Sequence, residues 1–136
     1  MAEREGALIL TAQDDPLPKA IELIEGLGLP GGLLPLEDVV ECGYVEQTGF
    51  VWITQKHKNG HYFKKASRQV AYAEKITCTL QKNRLKNVTG VKAKELLIWV
   101  PVNEIAVDEP PSSKIHFKSL AGITRTFPVD AFARGE

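Results

Sequence analysis

The chain is poor in the residues that usually announce a chemistry. In 136 residues it has two cysteines, three histidines and one methionine. Cys42 and Cys78 are too few for a disulfide scaffold. Each sits in an apolar, strand-like run, where a cysteine reads as a small buried hydrophobe. No run approaches the roughly 20 apolar residues of a membrane-spanning helix. The N-terminus opens acidic and polar, and its apolar stretch, residues 7–10, falls short of the roughly 7 to 15 residues of a secretory core. The expectation is a cytosolic, cytoplasmic chain with reduced thiols, in which the sequon at Asn87-Val88-Thr89 goes unused. There is no Gly-x-Ser-x-Gly elbow. Ser67, Ser112, Ser113 and Ser119 fall in polar turns, and only His57, His61 and His116 are available as a histidine base. His57 and His61 flank Asn59-Gly60, which reads as a two-residue hairpin turn. That turn would point the two rings to opposite faces, so no metal site is expected, and no cofactor.

A net charge of zero conceals segregation. Residues 1–48 hold two basic and ten acidic residues, 49–94 hold eleven basic residues against Glu74 alone, and 95–136 hold four basic and six acidic. Either the fold interleaves these blocks and cancels them, or the middle block makes a surface for an anionic partner.

Proline and glycine divide the chain. Asp14 or Asp15 can cap a helix that has Pro16 in its first turn. Ile21, Ile24 and Leu27, with Leu23 beside them, form an apolar stripe opposite Lys19, Glu22 and Glu25, which predicts an amphipathic helix over 17–27. Gly28 suits the left-handed C′ position and Leu29 the apolar C″ position. Gly31-Gly32 is read as a sharp reversal, and Leu33 and Leu34 as tucked under the domain. From residue 37 short β-branched and aromatic runs alternate with turns. Val70, Tyr72, Ile76, Cys78 and Leu80 share one face of a long strand, which Glu74 interrupts without explanation. The next strand is expected to end at Gly90. Leu96 to Val102 is hydrophobic on both alternating faces and is expected to be covered on both sides. Asp108 to Ser112 reads as a turn, residues 115–127 as a closing hairpin, and 127–132 as a last short strand. The fold class is mainly β: an antiparallel β-sandwich or barrel-like body with one N-terminal amphipathic helix. The domain is read as 13–132, between flexible ends at 1–12 and 133–136.

Three stretches carry a family resemblance. They are Leu29-Pro30-Gly31-Gly32-Leu33-Leu34-Pro35, the run from Leu85 to Lys94, and Leu97-Ile98-Trp99-Val100-Pro101-Val102-Asn103-Glu104-Ile105. With the ending Thr124 to Phe132, they resemble the cytosolic branch of the plant family catalogued as domain of unknown function 538, over roughly 15–132. The resemblance implies a helix packed on a β body and a link to stress responses and growth. A lipid-binding role, by similarity to bactericidal permeability-increasing proteins, and a chlorophyll-hydrolase role have both been suggested for the family. No catalytic residues transfer.

Two sets of residues are candidates for a site. Lys56, Lys58, Lys64, Lys65 and Arg68 flank the expected Asn59-Gly60 hairpin, and Lys82, Arg84, Lys86, Lys92 and Lys94 flank the next. On adjacent strands the two sets would form one cationic rim for phosphate or carboxylate head groups. The alternative is solvated edge lysines that block aggregation. Tyr62 and Phe63 interleave with these cations, but no base-reading motif is present and nucleic acid is not the expected partner. Trp52, Tyr72, Trp99, Phe117 and Phe127 either line an apolar cavity or are plain core. The resulting expectation is a non-enzymatic binding protein for a lipid or other amphiphile, its apolar part between the sheets and its anionic head at the basic hairpins. An acidic membrane surface is the related partner. The alternatives are an esterase-like hydrolase, which requires a Ser or Cys on a His, and a regulatory module that binds a protein through an exposed apolar patch.

Overall fold

A computed structural model describes residues 4–109 and 113–136. The one α-helix among the described residues, α1 (Pro16–Gly26), ends as its sequence dictates. Gly28 has a φ of +93°, its amide donates to the Glu25 carbonyl, and the Leu29 amide donates to the Ile24 carbonyl, both at 3.1 Å. This is the paired C-terminal cap that a left-handed glycine permits. Asp15 stands at the N-cap without a capping bond, while Asp14 accepts from the Thr11 amide at 2.8 Å.

Ten antiparallel strands make one sheet: β1 (Leu8–Thr11), β2 (Val39–Val45), β3 (Phe50–Gln55), β4 (Asn59–Phe63), β5 (Arg68–Gln81), β6 (Arg84–Glu95), β7 (Ile98–Pro101), β8 (Glu104–Val107), β9 (Lys114–Lys118) and β10 (Thr124–Pro128). The order is β1-β2-β3-β5-β6-β8-β9-β10, with β4 on β5 and β7 on β6. The expected barrel closure is corrected: the sheet stays open, with β1 and β10 at its ends.

The two long strands organise the rest. β5 pairs with β4 through Arg68–Tyr72 and with β3 through Lys75–Thr79, so β3 and β4 lie end to end along it. β6 forks likewise, its start pairing with β8 and its end with β7. Between the halves the register of β5 on β6 shifts at Tyr72–Thr77. Ala73, Glu74 and Lys75 are all exposed there. Glu74 therefore interrupts the apolar face because the strand bends at that point. On β6 the bend uses Asn87 at φ +53° and Gly90 at φ +84°. A Cβ on Gly90 would collide with the Lys75 carbonyl, so the glycine is required, and the strand runs on to Glu95 rather than ending.

The bent sheet closes on a plug. Leu29, Leu33, Leu34 and Leu36 are buried with Ala20 and Ile24 of α1 against Val51, Ile53, Tyr72, Ile76, Leu85, Val91 and Ile105. Neither Gly31 nor Gly32 takes a positive φ. They are the central residues of the expected reversal, in which the Leu33 amide donates to the Pro30 carbonyl at 3.4 Å, and they also provide proximity. The Gly32 amide donates to the Phe132 carbonyl at 2.8 Å, and a Cβ there would stand 2.6 Å from that oxygen. Buried Gln55 completes the plug, accepting from the Glu37 amide and donating to Asn59 and to the Ala73 carbonyl.

Several expectations are corrected. Asn59-Gly60 is not a hairpin tip. It opens β4, and Asn59 bridges Gln55 to the Pro35 carbonyl, so a turn-forming pair serves as a clamp. Leu96 to Val102 is not covered on both sides. Leu96-Leu97 is itself the two-residue turn between β6 and β7, and the two side chains are 93% and 92% exposed. Residues 129–132 form a 3-10 helix that buries Ala131 and Phe132. Residues 8–11, assigned to a flexible start, pair with β2. The last residues, assigned to a flexible end, are tied down: Arg134 is paired with Glu25, and Lys65 with Glu136 at 2.7 Å. Arg134 holds the Glu25 carboxyl below its ordinary range, and Glu136 raises Lys65. The turn expected at 108–112 falls partly on 110–112, outside the described residues.

Candidate functional site

The fork of β6 leaves a cleft. β7 pairs only with β6, and the β9–β10 hairpin reaches β6 only through β8, so no ladder joins β7 to β9 or β10. Val100 and Val102 form one wall, Phe117, Ile123 and Phe127 the other, and Val70 and Ala93 lie at the base. Its volume is about 30 Å³, room for roughly one or two waters.

Charge is concentrated at the mouth. Arg68 Nε donates to Glu95 Oε1 at 3.2 Å, and Arg125 Nε donates to the same oxygen at 3.1 Å. The Arg68 guanidinium lies 5.5 Å from the Phe127 ring centroid. Two guanidiniums share one carboxylate, which leaves one positive charge in excess beside an apolar cleft. That combination suits an anion with an apolar tail.

Of the residues singled out in the sequence, the cleft gathers Arg68, Phe117 and Phe127. The others disperse. Tyr72 is core, its phenol pushed above its ordinary pKa by burial. Trp52 lies on the opposite sheet face, flat over Gly43, its Nε1 donating to Glu41 at 2.6 Å and Arg4 covering the ring at 4.3 Å. Trp99 and Lys58 border a shallow hollow of about 260 Å³ on the outer face with Ala71 and Lys92. Lys56 and Lys64 are exposed, and Lys65 is paired with Glu136. The expected rim forms only in part: Lys92 and Lys94 lie on the β4 side of the sheet, Lys92 in one hollow with Lys58, whereas Lys82 and Arg84 stand at the opposite end of β5 from Arg68. Arg125, Glu95 and Ile123 were not legible as a set. The one local signal is alternation along β10, which puts Arg125 and Phe127 on one face, opposite Phe117 and Ile115 of β9.

The hydrolase alternative requires a serine or cysteine on a histidine, and among the described residues no hydrogen bond makes that pair. Ser119 borders the cleft but accepts from the Ile123 amide within its own turn. His116 contacts Thr126 Oγ1 at 2.7 Å and Asp108 Oδ1 at 2.9 Å on the open face of β8–β10, outside the cleft. Burial pushes the Cys42 thiol up to about 11 and that of Cys78 up to about 12, which suppresses the nucleophilic thiolate. Among the described residues no helix is long and apolar enough to cross a membrane.

Comparison with known proteins is brief. No curated protein matches the chain. No solved structure matches it. A family model described as "Protein of unknown function, DUF538" matches residues 20–133, from within α1 to the end of the buried 3-10 turn. The plug motif, both long strands and both walls of the cleft all lie inside that span, and the chain belongs to the DUF538 family.

Proposed function

We propose that the protein is a non-enzymatic binding protein for a single-chain anionic amphiphile, held in the cleft between the β6–β7 and β9–β10 hairpins. The observation that carries this reading is the apolar cleft opening beside two arginines that share one carboxylate. The head group takes the place of Glu95 as acceptor for Arg68 and Arg125, and the chain parts the walls. Parting them breaks apolar contacts but no strand ladder, since none joins the two hairpins.

Dodecyl phosphate below its micelle concentration is the test ligand, with calorimetry as the readout. One-to-one binding is expected, weakened roughly tenfold by Arg125→Gln, the loss of one charged hydrogen-bonding partner. Glu95→Gln should tighten binding, because it removes the competing carboxylate. The reading fails if no dodecyl amphiphile binds, or if dodecyl trimethylammonium binds as well as the phosphate.

A further inference from the structure

The two hairpins that wall the cleft also end in exposed apolar residues. Leu96 and Leu97 form the β6–β7 tip, followed by Ile98, and Leu120, 82% exposed, and Ile123 belong to the β9–β10 tip. The tips flank the ion pair of Glu95 and Arg125, one residue from Leu96 and two from Ile123, so they share one rim. Leu96 is costly in a second way. Its φ is +56°, in a two-residue turn whose left-handed position suits Asn, Asp or Gly. Exposure and backbone strain coincide on one residue: the turn needs the left-handed conformation, but nothing in the turn needs a leucine. Strain retained at such a point is a pointer to function.

Behind the tip the outer face is layered. Tyr62 pairs with Gln69, the Val70–Ala93 register sets Gln69 opposite Lys94, and Lys94 pairs with Trp99. Tyr62, Gln69, Lys94 and Trp99 therefore form one row across four strands, with the Lys94 ammonium 5.8 Å from a Trp99 ring centroid. Lys92 lies in the next row, roughly 7 Å further back, and borders the same hollow as Lys58. The order from the tip is leucines, then aromatics with a lysine, then further lysines. A bilayer surface is layered in the same order: hydrocarbon edge, interfacial zone favoured by Trp and Tyr, and anionic head groups. The tips are also projections, the shape that enters a lipid surface.

We propose that this end of the molecule docks peripherally on a bilayer containing anionic lipid. Leu96 and Leu97 enter the hydrocarbon edge, Trp99 and Tyr62 lie at the interface, and Lys92, Lys94 and Arg125 meet the head groups. The proposal goes beyond the cleft reading and does not depend on it.

The test is sedimentation of the full chain with vesicles of phosphatidylcholine, alone or with about one third phosphatidylserine. Binding is expected to the mixed vesicles, to weaken with salt, and to be accompanied by a blue shift of Trp99 emission. Leu97→Asp should weaken it roughly tenfold or more, and Lys94→Gln about fivefold. Leu96→Asn keeps folding separate from docking: the melting temperature should rise while vesicle binding falls. Neither tip variant should alter dodecyl phosphate binding in the cleft, and Arg68→Gln should affect the cleft more than the vesicles. The proposal is overturned if the wild-type chain stays in the supernatant with the mixed vesicles, or if Leu97→Asp binds them unchanged. It is also overturned if the tips prove to join two copies, so that Leu97→Asp turns a dimer into a monomer and neither form binds vesicles.

Discussion

The phenol of Tyr72 donates a hydrogen bond to the carbonyl of Leu33 at 2.8 Å, in the middle of the core. Tyr72 belongs to the half of β5 that pairs with β4, and Leu33 to the plug, so this bond fixes the plug against the sheet at its bend. Tyr72→Phe keeps the ring and orphans a buried carbonyl. The expected cost is about 1–3 kcal/mol, read as a lower urea midpoint at unchanged slope.

Gly32 makes a different demand. A methyl group there has no space between the carbonyls of Phe132 and Ala133. Gly32→Ala should cost about 1–3 kcal/mol through overpacking and displace the buried 3-10 turn. Faster amide exchange across residues 129–133 would report it. Gly122→Ala provides the contrast: its Cβ meets nothing within 4 Å, so only the strain of its φ of +84° is felt.

The thiols predict an alkaline limit. In the unfolded chain they ionise near 9, whereas the fold holds Cys42 at about 11 and Cys78 at about 12. Folded pKa values raised in this way stabilise fully below pH 9. Above it the unfolded chain loses protons that the folded chain keeps, and stability falls until the folded thiols ionise as well. The slope approaches about 1.4 kcal/mol per pH unit per thiol at most. Tyr72 adds to the same trend at higher pH. Urea midpoints between pH 8 and 11 should decline in the wild type and flatten in Cys42→Ala/Cys78→Ala, although the variant is less stable at pH 8.

What could be read from the sequence was local. The stripe of Ile24 and Leu27, followed by Gly28 and Leu29, placed the helix and its cap nearly to the residue, because each signal acts within one turn. The alternation through Val70, Tyr72, Ile76, Cys78 and Leu80 gave β5, since period two reports a buried face. Leu96 to Val102 misled because a continuous apolar run reads alike whether it is a covered strand or a turn followed by an edge strand. Asn59-Gly60 misled because Gln55 and Pro35, which engage Asn59, come from other segments. The cleft was illegible for the same reason. Arg68 faces Glu95 across the β5–β6 register, but Arg125 joins them only across the fork of β6, and nothing in their local spacing records it.

The hydrogen bond between the Gly32 amide and the Phe132 carbonyl joins residues about 100 positions apart. The plug that fills the interior precedes nine of the strands in the chain, and its partner follows β10. The strands therefore have to remain collapsed around an incompletely secured centre until residue 132 has been made, a topology that favours slow completion. A stalled or truncated chain lacking Phe132 would expose the leucines of the plug, and quality control could recognise an unfinished copy by that surface.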